Sequence, residues 1–170
     1  MRRALQFALA LLLAAPFCAA ELPKPAAKDR QADFVLVEKA KRKLTLYRAG
    51  KELKTYYVAL GGAPEGPKEK QGDQKTPEGK YVIDYRNPNS QFHLSLHISY
   101  PNATDRARAR KAKVDPGGAI MLHGIGKTYG WLGALHRKSD WTLGCIAVTN
   151  EEIEEIWSLV PNGTPIEIRP

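Results

Sequence analysis

Two cysteines occur in the 170 residues, and one of them, Cys18, lies in an N-terminal segment with the composition of an export signal. With that segment removed, Cys145 has no internal disulfide partner, so it is either a small buried side chain or a reactive nucleophile. A free thiol has a pKa of about 8.5 and attacks as the thiolate, so a nucleophilic role calls for a neighbouring base. The chain offers four histidines, at 93, 97, 123 and 136. His123 is followed by Gly124, and Cys145 is preceded by Thr142-Leu143-Gly144, with seventeen residues between Gly124 and Thr142. Gly144 admits a tight turn, through which the amides of Gly144 and Cys145 can face a developing oxyanion. His136 stands between Trp131 and Trp141; it can assist the site, line a substrate groove or simply occupy a loop. His93 and His97 alternate with Leu94 and Leu96 and share one strand face, which suits packing or a groove wall. His123, His136 and Cys145 are three N/S donors without the close paired spacing of zinc sites, so metal binding is not expected. The chain contains no phosphate-cradling glycine loop and no Gly-X-Ser-X-Gly elbow.

The elements that must position these residues are mostly short strands. Phe34 and Leu36, then Leu44 and Leu46, read as two strands with a charged crossing from Lys39 to Lys43. Ala49-Gly50 turns the chain toward a third run, Tyr56 to Leu60, which makes an antiparallel meander. Gly61 to Glu78 is rich in Gly, Pro and charge and reads as a long surface loop, of the length that usually has a function. Tyr81 to Tyr85 and Phe92 to Ser99 are further strands, and Asn102 to Lys113 is an arginine-rich exposed helix or ordered loop without an apolar stripe. Ala119 to Leu122 is a short strand that delivers His123 at its end, and Cys145 to Val148 is another that begins with the thiol. Two reactive side chains at the ends of neighbouring strands would be held rigidly. Thr149 and Glu152 form a capping box for a helix with the core stripe Ile153, Ile156, Trp157 and Val160. Asn162-Gly163 then turns into a last strand, Pro165 to Ile168. The predicted fold is mainly β with short helices (α+β), as a two-sheet sandwich or a partly closed barrel, in one domain over 33–170.

Residues 1–20 read as a secretory signal: Arg2 and Arg3 are followed by an apolar run from Phe7 to Ala15, too short to span a bilayer, and by the small-residue site Cys18-Ala19-Ala20. Bulky Phe17 argues against lipid attachment at Cys18. Residues 21–32 form a Pro-, Ala- and Lys-rich linker, and no later segment has transmembrane length. The formal charge is +8, or +6 without Arg2 and Arg3. That favours anionic surroundings such as cell-wall polymers or membrane surfaces, while the lack of an aromatic-basic recognition motif argues against nucleic acid.

His123-Gly124 followed by Thr142-Leu143-Gly144-Cys145 resembles the signature of the L,D-transpeptidase catalytic domain, the YkuD type, in which His-Gly precedes Ser/Thr-His-Gly-Cys. Leu44-Thr45-Leu46-Tyr47 before Gly50-Lys51, and Thr76-Pro77-Glu78-Gly79 leading into Tyr81, extend the likeness from about Asp33 to the C-terminus. Leu143 stands where the pattern has histidine and Ala147 where it has Arg or Asn, whereas Asn150 matches a common asparagine that also suits a helix start. A branch without the motif histidine also carries Gly-Pro-Lys and Glu-Gly-Asp, matched here by Gly66-Pro67-Lys68 and Gly72-Asp73, and it includes hydrolases of cell-wall cross-links. The resemblance implies that Cys145 is the nucleophile and His123 its general base, with Gly124, Thr142, His136 and Asn150 as orienting or substrate-contact residues. It implies peptidoglycan stem peptides as substrate, release of terminal D-alanine, no need of a metal or organic cofactor, a periplasmic or envelope location, and sensitivity to carbapenems. The acyl acceptor would be a diaminopimelate side chain, a free D-amino acid or a lysine of an envelope protein. A cross-link hydrolase or carboxypeptidase on the same scaffold, and a silent wall-binding protein, are the alternatives.

Overall fold

In the computed structural model, which describes residues 21–170, eight strands form one sheet in the order β3-β2-β1-β8-β4-β5-β6-β7. β1 (Phe34–Glu38), β2 (Lys43–Arg48) and β3 (Lys51–Tyr57) are the antiparallel meander that the apolar alternation predicts. β3 spans Lys51 to Tyr57 rather than Tyr56 to Leu60, because Lys51 to Lys54 are exposed edge residues with a single apolar side chain, Leu53, and so carry no alternating apolar signal. Lysines on an edge also discourage pairing with another chain. β8 (Pro165–Arg169) runs parallel to β1 and antiparallel to the start of β4 (Gly79–Ser90). β4 is twelve residues long, not five, and its far half pairs with β5 (His93–Ile98) across two register shifts. β6 (Met121–His123) follows antiparallel, and β7 (Ile146–Ala147) lies parallel to β6.

The sheet curls until its two edges are bridged. Ala59, just past β3, exchanges two N–H···O bonds of 2.9 Å with Ala147, and Thr142 N–H donates to Leu60 O at 3.1 Å. Asp140 secures the same rim by accepting from Leu60 N–H and pairing with Arg42 at 2.6 Å. Of the two arrangements open to the sequence, the curled half-barrel is the one that forms.

One apolar cluster fills the fold, from Val35, Val37, Leu44 and Leu46 through Leu96, Leu122 and Ile146 to Ile166 and Ile168. α3 (Asn150–Leu159) contributes Ile153, Ile156 and Trp157, with Val160 just beyond it, and opens with the Thr149/Glu152 capping box. α1 (Ala103–Ala112) is a helix with almost no apolar face, attached instead through buried Asp105, which accepts from Tyr81 Oη at 3.0 Å and pairs with Arg108 at 2.7 Å. The crossing after β1 is not wholly solvated: Lys39 is buried and bonds Glu78 at 2.7 Å, Gly66 O at 2.6 Å and Thr76 O at 3.0 Å. These bonds pin both ends of the Gly61 to Glu78 loop to the β1–β2 turn. A buried ammonium is tolerated because carboxylate and carbonyl oxygens surround it.

Residues 21–32 are mainly exposed but lie along the end of α3, with Ala26 N–H on Ser158 O and Ala32 N–H on Leu159 O. The expected export signal at 1–20 lies outside the described residues. No helix among the described residues is long and apolar enough to cross a membrane.

Candidate active site

Leu122 and His123 pair in parallel register with Ile146 and Ala147. One step back, Cys145 stands opposite Met121, whose N–H reaches Sγ at 3.4 Å. Strand side chains alternate between faces, and Leu122 and Ile146 point into the core. Cys145 and His123 therefore share the other face, diagonally across two adjacent strands, and both line one cavity of about 460 Å³ with Lys68, Phe92, Trp141 and Leu143.

His123 is 2% exposed, stacked on Phe92 at 4.4 Å between ring centroids and met edge-on by Trp141 at 5.9 Å. Its Nδ1 lies 2.6 Å from the carbonyl of Gly124. A carbonyl only accepts, so Nδ1 carries the proton and Nε2 keeps its lone pair. Burial lowers the imidazole pKa to about 4, against a smaller upward pull from the Gly124 bond. Burial raises the Cys145 thiol, partly offset by Met121 N–H and the positive charge of Lys68. The thiol is half-buried and donates to Ala119 O at 3.7 Å. The resting pair is thus a protonated thiol and a neutral imidazole, an arrangement suited to general-base rather than preformed ion-pair chemistry.

The turn before Cys145 is shaped by Thr142, whose hydroxyl donates to Cys145 O at 2.7 Å and accepts Gly144 N–H at 3.1 Å. This corrects the expected pair of oxyanion donors: the Gly144 amide is already engaged, and Cys145 N–H is the one without an acceptor among the described residues. Gly144 has φ +126°, and a Cβ there would lie 2.6 Å from Lys75 O. Gly144→Ala is expected to destabilise the domain by about 1–3 kcal/mol through overpacking, with left-handed strain in addition. A lowered urea midpoint checks this, and an unchanged midpoint would contradict the close approach.

Gly124 is similarly confined, since a Cβ would sit 2.7 Å from Asn150 Oδ1 and 2.8 Å from Phe92 O. Asn150, the first residue of α3, turns inward: Oδ1 accepts from Ile125 N–H at 2.9 Å and Gly126 N–H at 3.1 Å, and Nδ2 donates to Gly126 O at 3.0 Å. It clamps the segment whose carbonyl orients His123.

His136 lies behind Trp141, in a separate cavity of about 390 Å³, and accepts Trp141 Nε1–H on Nδ1 at 3.4 Å. Trp141 lines both cavities, so His136 is not placed to take over from the absent motif histidine; Leu143, at that position, is 76% exposed. His93 pairs with Glu154 and His97 with Asp84, each at 2.6 Å, and neither lines the Cys145 cavity. No three metal-ligating side chains converge among the described residues. Phe92, Gln71 and Gln91 are among the cavity residues that the sequence did not mark as site residues, and Lys68 entered only through the Gly66-Pro67-Lys68 match. Phe92 lies in the turn just before β5, where a lone aromatic carries no site signal.

Fold and site together define a curled β domain of the L,D-transpeptidase class. A model of the YkuD family, the L,D-transpeptidase catalytic domain, matches residues 32–168, and the chain belongs to that family. YafK of Escherichia coli K12 is 31% identical over 133 residues, covering 75% of this chain and 46% of YafK. The structure of Bd1075 from Bdellovibrio bacteriovorus is 26% identical with a TM-score of 0.57, covering 86% of this chain and 51% of that one. The helical cell shape determining protein Pgp2 of Campylobacter jejuni is 22% identical with a TM-score of 0.62, covering 88% and 51%. The chain thus spans about half the length of each of these relatives.

Proposed function

We propose that this protein is an exported L,D-transpeptidase of the periplasm or cell envelope that acts on peptidoglycan stem peptides through a Cys145 thioester. The observation that carries the reading is the placement of Cys145 and His123 on one face of adjacent strands in one cavity, with the His123 lone pair left free at Nε2. In this mechanism Nε2 takes the thiol proton as Sγ attacks the carbonyl of the third stem residue, diaminopimelate. The oxyanion forms at Cys145 N–H. Collapse breaks the amide bond, His123 returns the proton to the departing D-alanine amine, and a thioester remains. An acceptor amine then attacks the thioester, its proton passes through His123, and the thiol is regenerated with a new amide bond.

A hydrolytic reading, in which water replaces the amine, is favoured by Leu143 standing where the family pattern has histidine and by the Gly66-Pro67-Lys68 and Gly72-Asp73 loop. A silent wall-binding role is disfavoured because thiol and imidazole are both retained. The test is incubation with tetrapeptide muropeptides and a D-amino acid, with products identified by mass spectrometry. Exchanged or cross-linked product is the expected result. Tripeptide alone, or cleavage of pre-formed cross-links, would replace the transferase with the hydrolase.

A further inference from the structure

The wall of the Cys145 cavity holds a buried cation that the mechanism above does not use. Lys68 sits in the long loop between β3 and β4, its side chain only 3% exposed, and it lines the same cavity as Cys145 and His123. An ammonium has three N–H donors and no acceptor. Nζ gives one to Asp73 Oδ1 at 2.7 Å and one to Lys70 O at 3.0 Å, and the third has no acceptor among the described residues.

Asp73 fixes this ammonium but is itself shared. Its Oδ1 also accepts Lys75 N–H at 3.1 Å, and its Oδ2 accepts Glu69 N–H at 2.8 Å and Lys70 N–H at 3.0 Å. Burial pushes the Asp73 carboxyl up, but Lys68 and the three amides outweigh it and hold the pKa at about 2. The carboxylate charge is thus shared between Lys68 and backbone donors that shape the turn. The loop is tied down on its other side as well, by Gln71 N–H on Asp115 O at 2.8 Å and Arg108 on Lys68 O at 3.4 Å. Lys68 is a positioned, buried positive charge with one donor to spare, in the wall of the cavity where the acyl donor would lie.

We propose that Lys68 is the carboxylate-recognition residue of the acyl-donor site, its free N–H binding a carboxylate of the stem peptide beside the scissile bond. This rests on the reading that Cys145 attacks a stem peptide. Two carboxylates of such a donor have the right chemistry: the terminal one of the departing D-residue and the one on the diaminopimelate side chain. A charge-assisted bond in a partly enclosed cavity orients the peptide and rejects donors lacking the charge.

The experiment compares kcat/KM for Cys145 acylation by three synthetic tetrapeptides: the free acid, the C-terminal amide and the diaminopimelate side-chain amide. Wild type is expected to lose about 10- to 100-fold on one of the two amides, as for a lost hydrogen bond to a charged group, and that amide identifies the carboxylate bound. Lys68→Met should lose a similar factor on the free acid and cease to discriminate, while Lys68→Arg retains discrimination. Equal use of all three donors by wild type, or a uniform loss on all three in Lys68→Met, would overturn the assignment and leave Lys68 a staple of its loop. The wild-type comparison stands even where a variant does not fold. Failure of every stem peptide to acylate wild-type Cys145 overturns instead the transpeptidase reading on which the assignment rests.

Discussion

Cys145→Ala is expected to lower stem-peptide turnover by about 10⁶-fold, the order seen when an enzyme loses its nucleophile, and to abolish covalent capture by a carbapenem. Cys145 is the only cysteine among the described residues and the thiol of the cavity that also holds His123. No other side chain there can form a thioester. Intact-mass measurement with a carbapenem should show one adduct on the wild type and none on the variant. An adduct of equal yield on Cys145→Ala would place the chemistry elsewhere in the chain.

His123→Ala should slow acylation by about 10²- to 10⁴-fold, the usual contribution of a placed general base. His136→Ala, behind Trp141, should change it only a few-fold. The pH dependence follows from the direction of the shifts. Because burial lowers His123 to about 4, its Nε2 remains a base throughout mildly acidic conditions and loses that role only as pH falls through about 4. Because burial raises the Cys145 thiol, little thiolate exists at neutral pH without help. Wild-type acylation should therefore be nearly flat from neutral pH down to about pH 5 and fall below that. The residual rate of His123→Ala should climb with pH into the alkaline range as hydroxide replaces the imidazole. A wild-type profile that falls with a midpoint near 6.5 would show that His123 titrates as an exposed histidine, and comparable losses in the two histidine variants would give His136 a direct role.

The parts of this fold legible in the sequence are those written in short-range signals. The Thr149/Glu152 box and the stripe from Ile153 to Val160 lie within twelve residues and predict α3 directly. Alternation predicts the β1–β2 pairing, and the glycines flanking His123 and Cys145 mark the two strand ends. What was not legible depends on distant contacts. The stacking of Phe92 beneath His123 and the inward turn of Asn150 onto Ile125 and Gly126 join segments more than twenty residues apart. Lys39 stands in a charged crossing and Lys68 in a long surface loop, places where lysine is usually solvated, and only the folded loop surrounds each with oxygens. β3 and the far half of β4 carry polar residues whose strand conformation is imposed by backbone pairing, which propensity does not register. The Gly144 amide illustrates the same limit: a glycine before the nucleophile suggests an oxyanion donor, whereas the Thr142 hydroxyl already holds it.

The most direct test of the account is to mix the wild-type protein with a tetrapeptide stem donor, quench in acid and measure the intact mass. The account predicts a gain equal to the donor minus its terminal D-alanine, located on Cys145 by peptide mapping and discharged by an added D-amino acid with formation of the exchanged peptide. A chain that stays unmodified while free tripeptide accumulates in a Cys145→Ala control, or an adduct that maps to any other residue, would contradict it.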